Sequence, residues 1–236
     1  MYANHVVLDD AGPAWPQFRH ECPHGLQRGI VPGVEANVRD PDEDLLLGLA
    51  SRGNETSVNI HDVRDREAIA RMVYVAERLR ERSDIAFVIV GDGPETSIVK
   101  KAISARGLTN IHLSPARDDI RTVLADADLV MFASKREGLP VAGIESMSMG
   151  KPIVASKVPG WVELVSDGVD GLLVDDGDIA GYANAITRLL GDPALYDRMS
   201  RAGREKATRA YDLGDSVRAW ERLLAALPIR SRGSCS

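Results

Sequence analysis

The sequence predicts an α/β domain, a Rossmann-like, doubly wound parallel sheet with extra helices at its carboxyl end. Three observations predict it. From residue 55 onward, short apolar runs alternate strictly with longer amphipathic stretches, the pattern of crossover units that build a parallel sheet with helices on both faces. At 236 residues with 44% hydrophobic and 27% charged side chains, the chain can bury a core and is neither disordered nor fibrous. After the last apolar run only helical patterns follow.

Taken in order, the strand candidates are Ser57 to Ile60, Ile85 to Val90, Asn110 to Leu113, Leu129 to Ala133, Pro152 to Ala155 and Gly171 to Val174. The second, IAFVIV, is apolar throughout, as a strand covered on both faces requires. Helical stretches lie between them near 66–82, 95–106, 117–126, 140–149, 160–165 and 178–190. Two more follow near 193–210 and 214–227, the first opened by Asp192-Pro193, a start signal with proline at a position where no amide hydrogen is needed.

The first forty residues differ. Pro13, Pro16, Pro23, Pro32 and Pro41 break both periodicities, so 1–40 reads as an irregular arm, 41–213 as the α/β domain and 214–236 as a terminal helix and polar tail. His20, Cys22 and His24 alternate within that arm, but no second half of a zinc site accompanies them and no metal is expected. Cys22 and Cys235 do not make a disulfide framework, which points to a reducing compartment. With no apolar run long enough to span a membrane and no leader pattern at Met1 to Asp10, the expected location is cytoplasmic.

Charge argues against some partners. The balance of 29 basic to 35 acidic residues, a net charge of -6, supplies no field that would gather nucleic acid or an anionic membrane. All but six of the basic residues are Arg, whose planar fork suits phosphate and carboxylate.

In a doubly wound sheet, ligands bind beyond the carboxyl ends of the strands. Three loops there carry unusual chemistry. Gly91-Asp92-Gly93-Pro94 is a tight turn compatible with phosphate, though equally an ordinary strand-to-helix connection. In Ala133-Ser134-Lys135-Arg136-Glu137-Gly138-Leu139-Pro140-Val141, cations and a carboxylate precede a helix whose first amides, Val141 to Gly143, would face an anion. Glu137 and Glu145 stand eight positions apart. Carboxylates grip paired hydroxyls and repel phosphate, so the combination suggests a polyhydroxylated phosphate ester such as a nucleotide sugar. The plainer reading is that Glu137 caps the helix and Glu145 faces water. In the third loop, His61-Asp62-Val63-Arg64, the Arg64 guanidinium could neutralise a departing diphosphate.

The segments EGLPVAGIESMSMGKPIVAS, FVIVGDGPE and GLLVDDGD together resemble the carboxyl-terminal, donor-binding domain of the retaining glycosyltransferases of family 4, enzymes of the two-domain GT-B fold. The likeness runs from about Ile30 to Leu227. It implies that Glu137 contacts hydroxyls of the transferred sugar, Glu145 contacts the ribose, and Gly138, Leu139, Pro140 and Val141 meet sugar and diphosphate. Arg64 stands at a diphosphate-binding lysine position, and Pro115 and Ala116 lie near the base. Val58-Asn59 replaces a Gly-Arg pair, placing Asn59 at a phosphate-side position, and Pro159-Gly160 replaces a Gly-Gly pair.

The activity implied is transfer of a hexose-type sugar from a UDP- or GDP-linked donor to an alcohol, with retention, in glycan biosynthesis, and without cofactor or metal. Glu137 and Arg64 carry the catalytic roles. A second such domain, with the acceptor site, does not fit within 1–40. The partners to expect are the donor and either a separate acceptor-binding chain or a second copy, with any peripheral membrane association coming through a partner. An exposed apolar face and self-association should follow. The competing readings are a non-catalytic nucleotide-sugar binding module and, on fold analogy alone, a dinucleotide-dependent oxidoreductase, for which the full glycine fingerprint is missing.

Overall fold

A computed structural model describes residues 56–61, 66–91, 93 and 95–227. The arm 1–40 with His20, Cys22 and His24, the loop residue Arg64, Asp92, Pro94 and the tail with Cys235 lie outside the described residues.

The described residues form six parallel strands: β1 (Thr56–His61), β2 (Ile85–Val90), β3 (Ile111–Ser114), β4 (Leu129–Phe132), β5 (Ile153–Ser156) and β6 (Leu172–Val174). Their order across the sheet is β3-β2-β1-β4-β5-β6. The chain therefore builds outward from β1 in one direction, returns, and builds outward from β4 in the other. Connections leave β1 and β4 toward opposite sides, which opens a crevice between the ends of these two strands.

Among the described residues eight helices accompany the strands: α1 (Arg66–Arg78), α2 (Thr96–Arg106), α3 (Ile120–Asp126), α4 (Val141–Ser148), α5 (Trp161–Leu164), α6 (Ile179–Gly191), α7 (Pro193–Ala210) and α8 (Leu213–Ala226). Because strand side chains alternate between faces, β2 sends Phe87 and Ile89 toward α1 and α2, and Ala86, Val88 and Val90 toward α3. β4 does the same with Met131 and Phe132, so the sheet has a core on each side. On α1 the residues Ala68, Ile69, Met72, Val73, Val75 and Ala76 are buried, a stripe at helical spacing that Leu79 continues just past the helix end.

Two helix bounds differ from expectation. α1 ends at Arg78 and not near 82, because the chain turns there and Arg82 locks onto Asp84 through two hydrogen bonds of 2.7 and 2.6 Å. α3 begins at Ile120 and not near 117, because the Asp119 side chain accepts from the Arg121 amide and sets the start. Asp178 and Asp192 cap α6 and α7 in the same way.

α7 runs beneath α4. Ser200 Oγ donates to Gly150 O at 2.6 Å, Arg204 donates to Ser148 O, and Gly203 faces Met147. None of the α8 residues is buried, and Leu213, Val217, Trp220 and Leu224 recur at helical spacing along its exposed surface, with Leu227 just past its end. Among the described residues no helix is long and apolar enough to cross a membrane.

Candidate functional site

β4 ends at Phe132, one wall of the crevice, and its continuation is held on every side before it turns. Ala133 and Ser134 are buried. Arg71 of α1, only 11% exposed, donates to Ala133 O at 2.9 Å and pairs with Asp176 at 2.5 Å. The Tyr182 hydroxyl donates to Phe132 O at 2.9 Å, and Ser156 Oγ lies 2.7 Å from it. Burial pushes the Tyr182 hydroxyl pKa up to about 12, so it keeps its proton and remains a donor at neutral pH. Trp161, wholly buried, donates from Nε1 to Ser134 Oγ at 2.9 Å and stacks on Phe132 with ring centroids 4.3 Å apart.

Beyond this braced segment the chain swings outward through Lys135 and Arg136, which are exposed, to the half-buried Glu137. The turn is backed by Gly160, in the left-handed region at φ 86°. A Cβ there would stand 2.7 Å from Glu137 O and 2.8 Å from both Glu137 Cβ and Gly138 O. Of the Pro159-Gly160 pair, the glycine thus occupies the position where two backbones meet too closely for a side chain. Gly143 serves α4 similarly: a Cβ would come within 2.6 to 2.9 Å of Trp161 and Leu164, so its absence lets the helix lie on the indole.

Pro140 is buried and anchors the start of α4, while Leu139 and Val141 are 60% and 51% exposed. No side chain caps α4. Glu137 is therefore not its cap, and its carboxylate makes no hydrogen bond or ion pair among the described residues. Glu145, one turn into α4, is half-buried and does not simply face water; burial pushes its carboxyl above the ordinary range. The expectation that the amides of Val141 to Gly143 all face a ligand needs correction. The first turn closes tightly, with the Val141 amide donating to Leu139 O and the Gly143 amide to Pro140 O, both at 2.9 Å. Of the three, only the Ala142 amide is left without a partner among the described residues.

Asn59 lies in β1, in register between Val88 of β2 and Val130 of β4, two residues before the strand end. Pro115 and Ala116 are exposed just past β3, and the Gly91 amide donates to Ser114 O at 3.0 Å, tying the ends of β2 and β3. Three strand spacings, roughly 14 Å, separate the ends of β3 and β4. Pro115 and Ala116 thus sit at one end of an edge that leads across β2 and β1 to the Glu137 turn. Arg64 falls between β1 and α1 in the chain and lies outside the described residues. Among the described residues no cluster of side chains could hold a metal ion.

Sequence reasoning passed over Arg71, Ser156, Tyr182 and Trp161. Arg71 lies 62 residues from Ala133, Tyr182 50 from Phe132 and Trp161 27 from Ser134, and no local motif marks these three; Ser156, which meets the Tyr182 hydroxyl, closes the EGLPVAGIESMSMGKPIVAS segment but reads there only as a strand residue. Only the register of the sheet brings them together.

The family model for Glycosyl transferases group 1 matches residues 49–206. The alpha-D-kanosaminyltransferase of Streptomyces kanamyceticus is 35% identical over 141 residues, covering 58% of this chain and 36% of that protein. The D-inositol 3-phosphate glycosyltransferase of Salinispora arenicola is 28% identical over 194 residues, covering 77% of this chain and 41% of that protein. A solved structure of a mutant of S. aureus TarM, in complex with fondaparinux, alpha-GlcNAc-glycerol and UDP, matches with a TM-score of 0.68 and 25% identity over 72% of this chain and 35% of that one. Anabaena Alr3699/HepE in complex with UDP and glucose shares the fold, with a TM-score of 0.70 and 23% identity over 80% of this chain and 53% of that chain. The chain spans about half or less of the length of these relatives. The strand order, the braced turn before α4 and the family match over residues 49–206 lead to one assignment: the chain belongs to the glycosyl transferases group 1 family, as the carboxyl-terminal donor half of a GT-B fold.

Proposed function

We propose that the chain binds a nucleotide sugar at the β1/β4 crevice and forms the donor half of a retaining glycosyltransferase. The observation that carries this reading is the pair Glu137 and Glu145, two carboxylates without protein partners among the described residues, beside an uncapped helix start. A carboxylate left uncommitted in a folded site is an acceptor for ligand hydroxyls, and the α4 amino end favours negative charge. Glu137 holds hydroxyls of the hexose, Glu145 the ribose, and Gly138, Leu139, Pro140 and Val141 line the approach to sugar and diphosphate. Asn59 lies on the phosphate side and Pro115 and Ala116 near the base, while Arg64 with the helix end receives the departing diphosphate.

In the transfer, the bond from the anomeric carbon to the phosphate oxygen breaks and the acceptor alcohol's oxygen takes its place on the same face. The alcohol's proton passes to the leaving diphosphate. UDP- or GDP-linked hexose is the donor class, and neither cofactor nor metal takes part. A second reading, a binding module without turnover, is favoured by Val58-Asn59, which stands where the resemblance places a Gly-Arg pair and so lacks a phosphate-side cation.

Calorimetric titration with UDP, GDP and their hexose conjugates tests both, with Glu145→Ala and Arg64→Ala in parallel. Micromolar binding of one series, weakened in both variants, supports the donor site. No heat with any of them sinks it. Donor hydrolysis or transfer by the chain alone would separate enzyme from binding module.

A further inference from the structure

Lys135 is two residues beyond the braced Ala133 and two before Glu137, so it stands on the β4 lip of the crevice. Its Nζ reaches across that crevice to the carboxylate of Glu67, in the first turn of α1 on the opposite lip. The two side chains are 47% and 60% exposed, and an ion pair so open to water is weakly held. The two ends are held differently. Glu67 lies at the amino end of α1, where the helix dipole favours a negative charge with or without a lysine. Lys135, drawn by Glu67 to the amino end of α1, sits where the helix dipole disfavours a cation unless an anion accompanies it.

We propose that Lys135 is a diphosphate-binding cation, held in reserve by Glu67, which it exchanges for the phosphates of a nucleotide entering the crevice. The inference rests on the donor-site reading above and adds to it a residue and a direction. A diphosphate brings more negative charge than one carboxylate and several acceptor oxygens, so it outcompetes Glu67 for the ammonium. Glu67 then acts as a competitor of the ligand, and its removal favours binding. A mere brace between the two lips would behave in the opposite way, since either partner's loss would loosen the crevice and weaken binding alike.

The experiment is calorimetry on the full chain with UDP and GDP, using uridine and guanosine as phosphate-free controls, for wild type, Lys135→Met, Lys135→Arg and Glu67→Gln. Lys135→Met should weaken binding of the diphosphate about tenfold or more, and Lys135→Arg should recover most of it. The nucleoside controls should be unchanged. Glu67→Gln should tighten the diphosphate about threefold, an effect that fades as added salt screens the exposed pair. Unfolding midpoints equal to wild type in all three variants confirm that folding is not being read. Diphosphate affinity unaffected by Lys135→Met overturns the proposal and leaves the donor site standing, as does equal weakening by Lys135→Met and Glu67→Gln. A wild-type chain that binds neither diphosphate overturns the donor-site reading itself, and this proposal with it.

Discussion

Gly160→Ala puts one methyl group where the Glu137 turn meets the start of α5. Two costs follow from the geometry. At φ 86° an L-residue sits in the left-handed region, which costs roughly 1–2 kcal/mol. The new Cβ would also lie 2.7–2.8 Å from Glu137 O, Glu137 Cβ and Gly138 O, none of them the movable tip of a side chain. Overpacking of this kind costs typically ~1–3 kcal/mol. Gly168 separates the two costs: it has φ 76° and nothing within 4 Å of its ideal Cβ, so Gly168→Ala pays only for strain. Urea unfolding should therefore place Gly160→Ala about 1–3 kcal/mol below Gly168→Ala. The displaced Glu137 turn should also weaken binding of UDP or GDP, whichever the wild type prefers, while Gly168→Ala leaves it unchanged. If the two variants are equally stable and bind alike, the close approach does not shape the site and the reasoning fails.

Arg71→Met removes the donor to the buried carbonyl of Ala133 and should cost about 1–3 kcal/mol in urea unfolding, with a larger loss of nucleotide affinity than its distance from Glu137 suggests; a cost under about 0.5 kcal/mol would refute it. Because burial raises the Glu145 carboxyl pKa, the folded state holds its proton more tightly than the unfolded chain, and the relative stability this confers at low pH is lost as pH rises through the folded value. Glu145→Gln should then melt slightly above wild type at pH 7 and level with it near pH 3, while binding nucleotide less well; a pH-independent difference in melting temperature would contradict the assignment. Trp220→Glu, on a helix with no buried residue, should change stability by less than about 0.5 kcal/mol and reduce any concentration-dependent association seen by light scattering.

Much of the fold was legible because each strand and helix carries its own period. IAFVIV gave the bounds of β2 without error, and Asp192-Pro193 those of α7's start, since both depend on neighbours in the chain. The misplaced ends of α1 and α3 were set by side chains of Arg82, Asp84 and Asp119 competing for local hydrogen bonds, a contest that hydrophobic period does not register. The turn before α4 was found from its residue types, yet the number of amides it offers was overstated, because the tight first turn of α4 engages two of the three.

By itself the sequence determined the α/β class and the order of its elements, and it singled out Glu137 and Glu145 as candidates, because periodicity and motif spacing are properties of contiguous residues. Tertiary structure alone decided which strand ends form the crevice, that Gly160 abuts the Glu137 backbone, and that Arg71, Tyr182 and Trp161 converge on the root of that turn. It also set Lys135 against Glu67 across the crevice. These contacts join residues tens of positions apart, and their partners are selected by the register of parallel strands and the packing of helices across the sheet, which no local stretch of chain encodes.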